Sequence, residues 1–172
     1  MTTYLDNFLN ITPVSRVRRN HGLEHATIHV LARQAPGRSM AGYSDTGGFW
    51  LYGNLPTEVI EAAALEALDR MRNGEHKLAV HPNCGTNFAT YGVAAGLASF
   101  IAMFGARRWR EKLERLPLAM SFSTIALIFA QPIGFLIQEK ITTSGHPGGM
   151  EIVEVRPVQR GQANLHRIVT RG

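Results

Sequence analysis

TNFATYGVAAGLASFIAMFGA, Thr86 to Ala106, and LAMSFSTIALIFAQPIGFLIQ, Leu118 to Gln138, are the two stretches on which the fold turns: each is 21 residues long and neither holds a Lys, Arg, Asp or Glu. A hydrocarbon core is crossed by ~20 residues of helix. The pair therefore predicts a two-helix transmembrane hairpin, spans 86–106 and 118–138, with a buried hairpin inside a soluble domain as the alternative. Pro132, directly after Gln131, predicts a kink in the second span. Gly92-x-x-x-Gly96 with Ser99 offers a small-residue stripe for close helix contact or self-association.

Between the two spans lies a charged loop, RRWREKLER, with five Lys/Arg and two Glu. The positive-inside rule assigns such a loop to the cytoplasm and both termini to the other side. Against this, the first fourteen residues lack the basic and apolar regions of a signal peptide. Arg16, Arg18 and Arg19 are equally suited to holding the amino-terminal region at an anionic cytoplasmic surface. The two cues conflict, and the topology stays open.

The 172-residue chain is 45% hydrophobic, with a net charge of +5 and a pI near 9.9. Its positive charge sits in RVRR and in the loop between spans, with no aromatic stacking platform beside it, so a membrane surface explains it better than nucleic acid. The single cysteine, Cys84, excludes an internal disulfide and leaves a thiol, a metal ligand or half of an intermolecular bridge.

Outside the spans the pattern is α+β. Residues 1–14 hold a short amphipathic segment with Tyr4, Leu5, Phe8 and Leu9. A helix is expected from Arg16 to Arg33, with Ser15 as N-cap and Pro36-Gly37 as its stop. Ser39–Tyr43 and Phe49–Tyr52 flank turn residues and predict a β-hairpin in which Asp45 serves the turn. Pro56 opens a helix over Thr57–Arg72 that stops at Asn73-Gly74, and Lys77–His81 reads as a short strand. After the second span, Met150–Val155 and Arg167–Thr170 predict strands that return to the first sheet. Three segments follow: an α+β metal-binding domain over 1–85, the helical hairpin over 86–138, and a carboxy-terminal loop with strands over 139–172.

The candidate chemistry lies in the first helix, at His21-Gly-Leu-Glu24-His25-Ala-Thr-Ile-His29. Successive histidines four residues apart fall about 40° apart around a helix, on a face away from Leu23, Ala26, Thr27 and Val30. Two such imidazoles can reach one ion. H-x-x-E-H is also the order of inverted-motif zinc peptidases, in which the Glu acts as general base on water activated by the metal. The bland alternative is a solvated or hydrogen-bonded polar face. His29 is a weaker third ligand, because three histidines on successive turns of one straight helix diverge. A second constellation, His81-Pro-Asn-Cys84-Gly-Thr, presents an imidazole and a thiol three residues apart directly before the first span. Both are donors that zinc accepts, although a helix cap with a buried thiol has the same sequence. His76, His146 and His166 read as surface or loop residues.

The pairing of HGLEHATIH with HPNCGT ahead of a membrane span resembles the YqhQ-type family of bacterial membrane proteins, regarded as metal-dependent enzymes of unknown function. Over most of its length, including SDTGGFWLYG and the TTSG-x-P loop, the chain is similar to a shorter relative described only as a domain of unknown function. The resemblance implies metal ligands at His21, His25, His81 and Cys84 and a catalytic Glu24. The metal is zinc or another divalent transition ion. Two functions follow: a peptidase-like zinc hydrolase working near the membrane surface, if one ligand position is open, or a non-catalytic accessory or assembly subunit with a closed, structural site, if Cys84 also ligates. A haem-associated role for the histidines is a third, weaker reading.

Overall fold

The computed structural model describes residues 4–160 and 163–172. Among the described residues it is a mixed α+β structure with five α-helices and one four-stranded antiparallel sheet. Two compact units are distinguished, Met1–His81 with Glu139–Gly172, and Pro82–Gln138.

The first unit begins with α1, Tyr4–Leu9, and α2, Thr12–Gln34. Helix α2 starts ahead of the expected Ser15 cap because Pro13 fits the first turn, where its missing N–H costs nothing; the Ser15 N–H already bonds to the Ile11 carbonyl. The hairpin forms as expected, β1 at Ala41–Asp45 and β2 at Gly48–Tyr52, paired from Ala41 opposite Tyr52 to Asp45 opposite Gly48. Asp45 does serve the turn, its Oδ1 accepting the Gly47 N–H at 2.7 Å. Gly48 has φ +139° and lies against the Ile168 carbonyl, so a side chain there would meet both backbone strain and a collision.

Helix α3, Thr57–Arg72, has the predicted bounds. The segment after it departs from expectation: His76–Ala79 is a 3₁₀ turn, not a strand. Its Leu78 N–H bonds back to Glu75, and the Ala79 and Val80 carbonyls are taken by histidine side chains, which leaves no ladder for a strand partner. Strands β3, Glu151–Arg160, and β4, Ala163–Arg171, complete the sheet in the order β1-β2-β4-β3.

Helices α2 and α3 pack against this sheet, and Leu23, Leu31, Phe49, Leu51, Ile60, Met71 and Ile168 form the closed core between them. Full burial of each such side chain contributes about 1.5–3 kcal/mol. Polar groups tie the layers as well. The buried Asn20 side chain donates to the Asp45 carbonyl and accepts from Thr170 Oγ1, both at 2.7 Å. Behind β2, Arg167 makes a two-pronged bond to Asp45 and lies over the Trp50 ring. His166, expected at the surface, is buried because β4 is an inner strand between β2 and β3.

The second unit is an antiparallel pair, α4 at Gly85–Met103 and α5 at Trp109–Ile137. Contacts run from loop to open end: Arg115 donates to the Phe104 carbonyl, Ser99 meets Ser123 at 2.6 Å, and Gln138 donates to Asn87 at 2.7 Å. Helix α5 starts at Trp109, inside the stretch expected to be loop, because the Glu111 carboxylate accepts the N–H groups of Arg107 and Arg108 and caps the first turn. It runs on through Pro117 and Pro132.

Two spans were expected from the sequence; among the described residues one helix is long and apolar enough to cross a membrane. It comprises α5 and the π-turn that continues it, Trp109–Thr142, 34 residues whose most apolar window has a mean hydropathy of 1.8. Helix α4 does not reach that level because its first two turns carry Thr86, Asn87, Thr90 and Tyr91.

Candidate metal centre

Helix α2 sets His21, His25 and His29 on successive turns, and each ring has one nitrogen on a main-chain carbonyl. His21 Nδ1 meets Thr142 O at 3.0 Å, His25 Nδ1 meets Ala79 O at 2.8 Å, and His29 Nε2 meets Val80 O at 2.9 Å. A carbonyl only accepts, so in each neutral ring the proton sits on the bonded nitrogen. The lone pair is then on Nε2 of His21 and His25 and on Nδ1 of His29. Orientation by a carbonyl on the far nitrogen is how metal-binding imidazoles are held in their working tautomer.

The rings gather. His21 and His25 have centroids 4.4 Å apart, with ligand nitrogens within 4.8 Å of each other. His81 lies 5.7 Å from His25 and 4.8 Å from His29, centroid to centroid. Burial, reinforced by His29 and then His25, pushes the His81 imidazole down to about 4, so at neutral pH it is uncharged. His29, the least favoured ligand on spacing grounds, is thus the ring nearest His81. The 3₁₀ turn explains the arrangement: the carbonyls that orient His25 and His29 belong to the two residues just before His81.

Cys84 is the buried N-cap residue of α4. It follows His81 by three positions, a chain length of at most ~10 Å between the two Cα atoms. Paired zinc ligands commonly have such short spacings.

Glu24 is on the sheet side of the helix. Only 4% of it is exposed, Ser44 Oγ donates to Oε2 at 2.5 Å, and a Cβ at Gly42 would collide with the carboxyl. Burial raises the Glu24 pKa above the usual carboxylate range, against the opposing pull of Ser44 and of His21. Ser44 and Gly42 carried no sequence signal beyond that of an ordinary hairpin strand, since their role depends on α2 lying across β1.

Of the remaining histidines, His76 and His146 stack with centroids 3.9 Å apart, and His76 Nδ1 is on the Gly145 carbonyl at 2.8 Å. His166 Nε2 faces Thr57 Oγ1 at 3.1 Å on β4. Imidazoles oriented through one ring nitrogen, with a thiol close in sequence, make a donor set that suits a borderline-soft ion such as Zn²⁺.

A family model described as a domain of unknown function, DUF6391, matches residues 16–155. An uncharacterised protein of the cyanobacterium Picosynechococcus sp. is 34% identical over 143 residues, which is 74% of this chain and 66% of that protein. The chain thus spans about two thirds of that relative's length. No solved structure matches. The likeness to the YqhQ type is drawn from the motif pair alone.

Proposed function

The chain belongs to DUF6391, a domain of unknown function, and we propose that it is an integral membrane protein that binds zinc or another divalent transition metal. His21, His25 and His81 are the ligands, with Cys84 beside them or completing the set. The observation that carries this reading is the row of main-chain carbonyls, Thr142, Ala79 and Val80, that orient the α2 imidazoles through one ring nitrogen each. A solvated histidine face has no need of such restraint.

Elemental analysis of the detergent-purified protein tests it. Wild type is expected to carry close to one metal per chain, with His25→Ala and His81→Ala each losing most of it. A metal-free wild type would sink the proposal. In this reading both helices of the second unit reside in lipid, α4 beside α5, an idea supported by outward apolar side chains on both, such as Phe100 and Ile128.

The function that follows is hydrolysis of an amide or ester near the bilayer surface. The ion would supply Lewis-acid polarisation and water activation. His21 and His25 would hold it, and Glu24 would take up and return the proton, a role suited to a carboxyl whose pKa is raised. Glu24→Gln is expected to retain the metal and lose turnover. A second reading, an accessory subunit with a structural metal, draws support from the engagement of Glu24 with Ser44 and from Gly92 and Gly96, beside which a Cβ would meet only open space. That stripe suits a partner span or a second copy. Under this reading Glu24→Gln leaves the purified assembly intact, and Cys84→Ser releases the metal.

A further inference from the structure

A cavity of about 580 Å³ opens in the first unit, and Arg18, Lys77, Lys140, His76 and His146 are on its wall, with Glu139 the only carboxylate among the lining residues. Three fixed cations against one anion is an excess that a low-dielectric concavity strengthens. The Glu139 charge is already shared with Lys140 at 3.4 Å, a pairing between two largely exposed side chains that contributes little by itself.

The wall is built as well as charged. Arg18 reaches across to the turn that ends the long apolar helix, bonding Ile141 O at 2.7 Å, Lys140 O at 3.0 Å and Thr143 O at 3.1 Å. This fixes the backbone that carries Lys140. Lys77 belongs to the 3₁₀ turn, and the His76 ring is held by the Gly145 carbonyl and tilted against His146. The Ser144 hydroxyl, bonded to the His146 backbone, adds a polar group at the rim.

Position selects the ligand. Glu139 and Lys140 lie in the last turns of the helix Trp109–Thr142, the one long and apolar enough to cross a membrane. If that helix crosses a bilayer, as the proposed function has it and as this inference requires for a lipid ligand, the turn that ends it and carries Lys140 comes near the headgroups, where each Lys or Arg near an anionic surface contributes about 1 kcal/mol. We infer that this cavity binds a negatively charged phosphate group, that of an anionic phospholipid or of a free phosphate compound. Lys77 and Lys140 are its principal contacts, and Arg18 holds the backbone that carries Lys140. The inference needs no metal at the histidine cluster.

The test uses the full chain in a neutral detergent. Binding of dioctanoyl phosphatidic acid, dioctanoyl phosphatidylcholine and inorganic phosphate is measured by microscale thermophoresis at two salt concentrations. Phosphatidic acid is expected to bind in a salt-sensitive way, and the double variant Lys77→Gln/Lys140→Gln to weaken it about tenfold or more. Arg107→Gln/Arg108→Gln, equal in lost charge but distant in sequence from the cavity, serves as the control and is expected to bind as wild type. Inorganic phosphate binding as tightly as the lipid assigns the site to a free phosphate, whereas lipid binding alone assigns it to a headgroup. Equal binding of phosphatidylcholine, no binding of either anion, or a double variant that binds like wild type while melting at the wild-type temperature overturns the inference.

Discussion

The unit formed by residues 1–81 and 139–172 has a closed core of large apolar side chains, in which Phe49, Leu51 and Ile168 are fully buried. In the unit formed by residues 82–138 they are outside, with Phe100 66% and Ile128 62% exposed, while Asn87 and Gln138 are fully buried. The first is the arrangement water imposes, because apolar area removed from it is the main favourable term in folding. The second inverts it. A helix pair that hides amides and presents Phe, Ile and Leu suits a solvent as apolar as its own surface, where association is driven by packing and hydrogen bonds between helices. On the membrane reading proposed above, two solvents acting on one chain account for the difference, and each side of it makes a separate prediction.

The largest effect is expected from matched truncations. Phe49→Ala removes a ring from the closed core and should cost about 3–5 kcal/mol. Phe100→Ala removes the same ring from an exposed surface and should leave thermal stability in detergent within about 0.5 kcal/mol of wild type. Melting curves of the two variants read the contrast directly. A Phe100→Ala loss comparable to that of Phe49→Ala would mean that α4 buries its outer face against something else, and the membrane account would fail.

The second effect is smaller. Gln138 donates to Asn87 Oδ1 at 2.7 Å, and the Asn87 amide donates in turn to the Pro82 carbonyl at 2.8 Å. Gln138→Leu breaks that chain at one end, at a cost of about 1 kcal/mol. Gly134→Ala should act on the same contact, since a Cβ there would press on the Asn87 side chain. Chemical denaturation monitored by Trp109 fluorescence would report both. A neutral Gln138→Leu would show that the amide pair does not hold the open end of the helices together.

Much of this contrast was legible in the sequence, because the absence of charge over 78–106 and 116–138 is a property of composition that no tertiary contact alters. The hairpin and α3 were legible for a similar reason, through Gly and Pro at fixed offsets. What escaped were features decided by partners far along the chain. Lys77–His81 has strand-like residues, but its carbonyls serve His25 and His29 some fifty residues away, and the backbone turns. The charged stretch 107–115 looked like loop until Glu111 was seen to cap a helix. At the candidate site the histidines announced themselves by spacing, whereas Ser44, Gly42 and the Thr142 carbonyl matter only through where α2 lies. The burial of His166 likewise follows from strand order, which its local sequence does not encode.

The smallest effect separates the water-adapted unit from its partner by pH. Burial alone would raise the Asp45 pKa, but the Arg167 fork, the Gly47 N–H and Trp50 together outweigh it and hold the carboxyl below its usual value. The folded state therefore favours the ionised form. The resulting stability is fully present above the unfolded carboxylate pKa of about 3.9 and is lost as the pH falls through the lower folded value. Arg167→Gln removes the fork, so it should lower stability by about 1 kcal/mol at pH 7 and by progressively less below pH ~4, where Asp45 in both proteins takes up its proton. Urea unfolding of wild type and variant at pH 7, 5 and 3 measures the difference. The gap should stay constant between the first two and narrow at the third. A gap of equal size at pH 3 would show that Arg167 acts through its packing on Trp50 and not through the Asp45 charge.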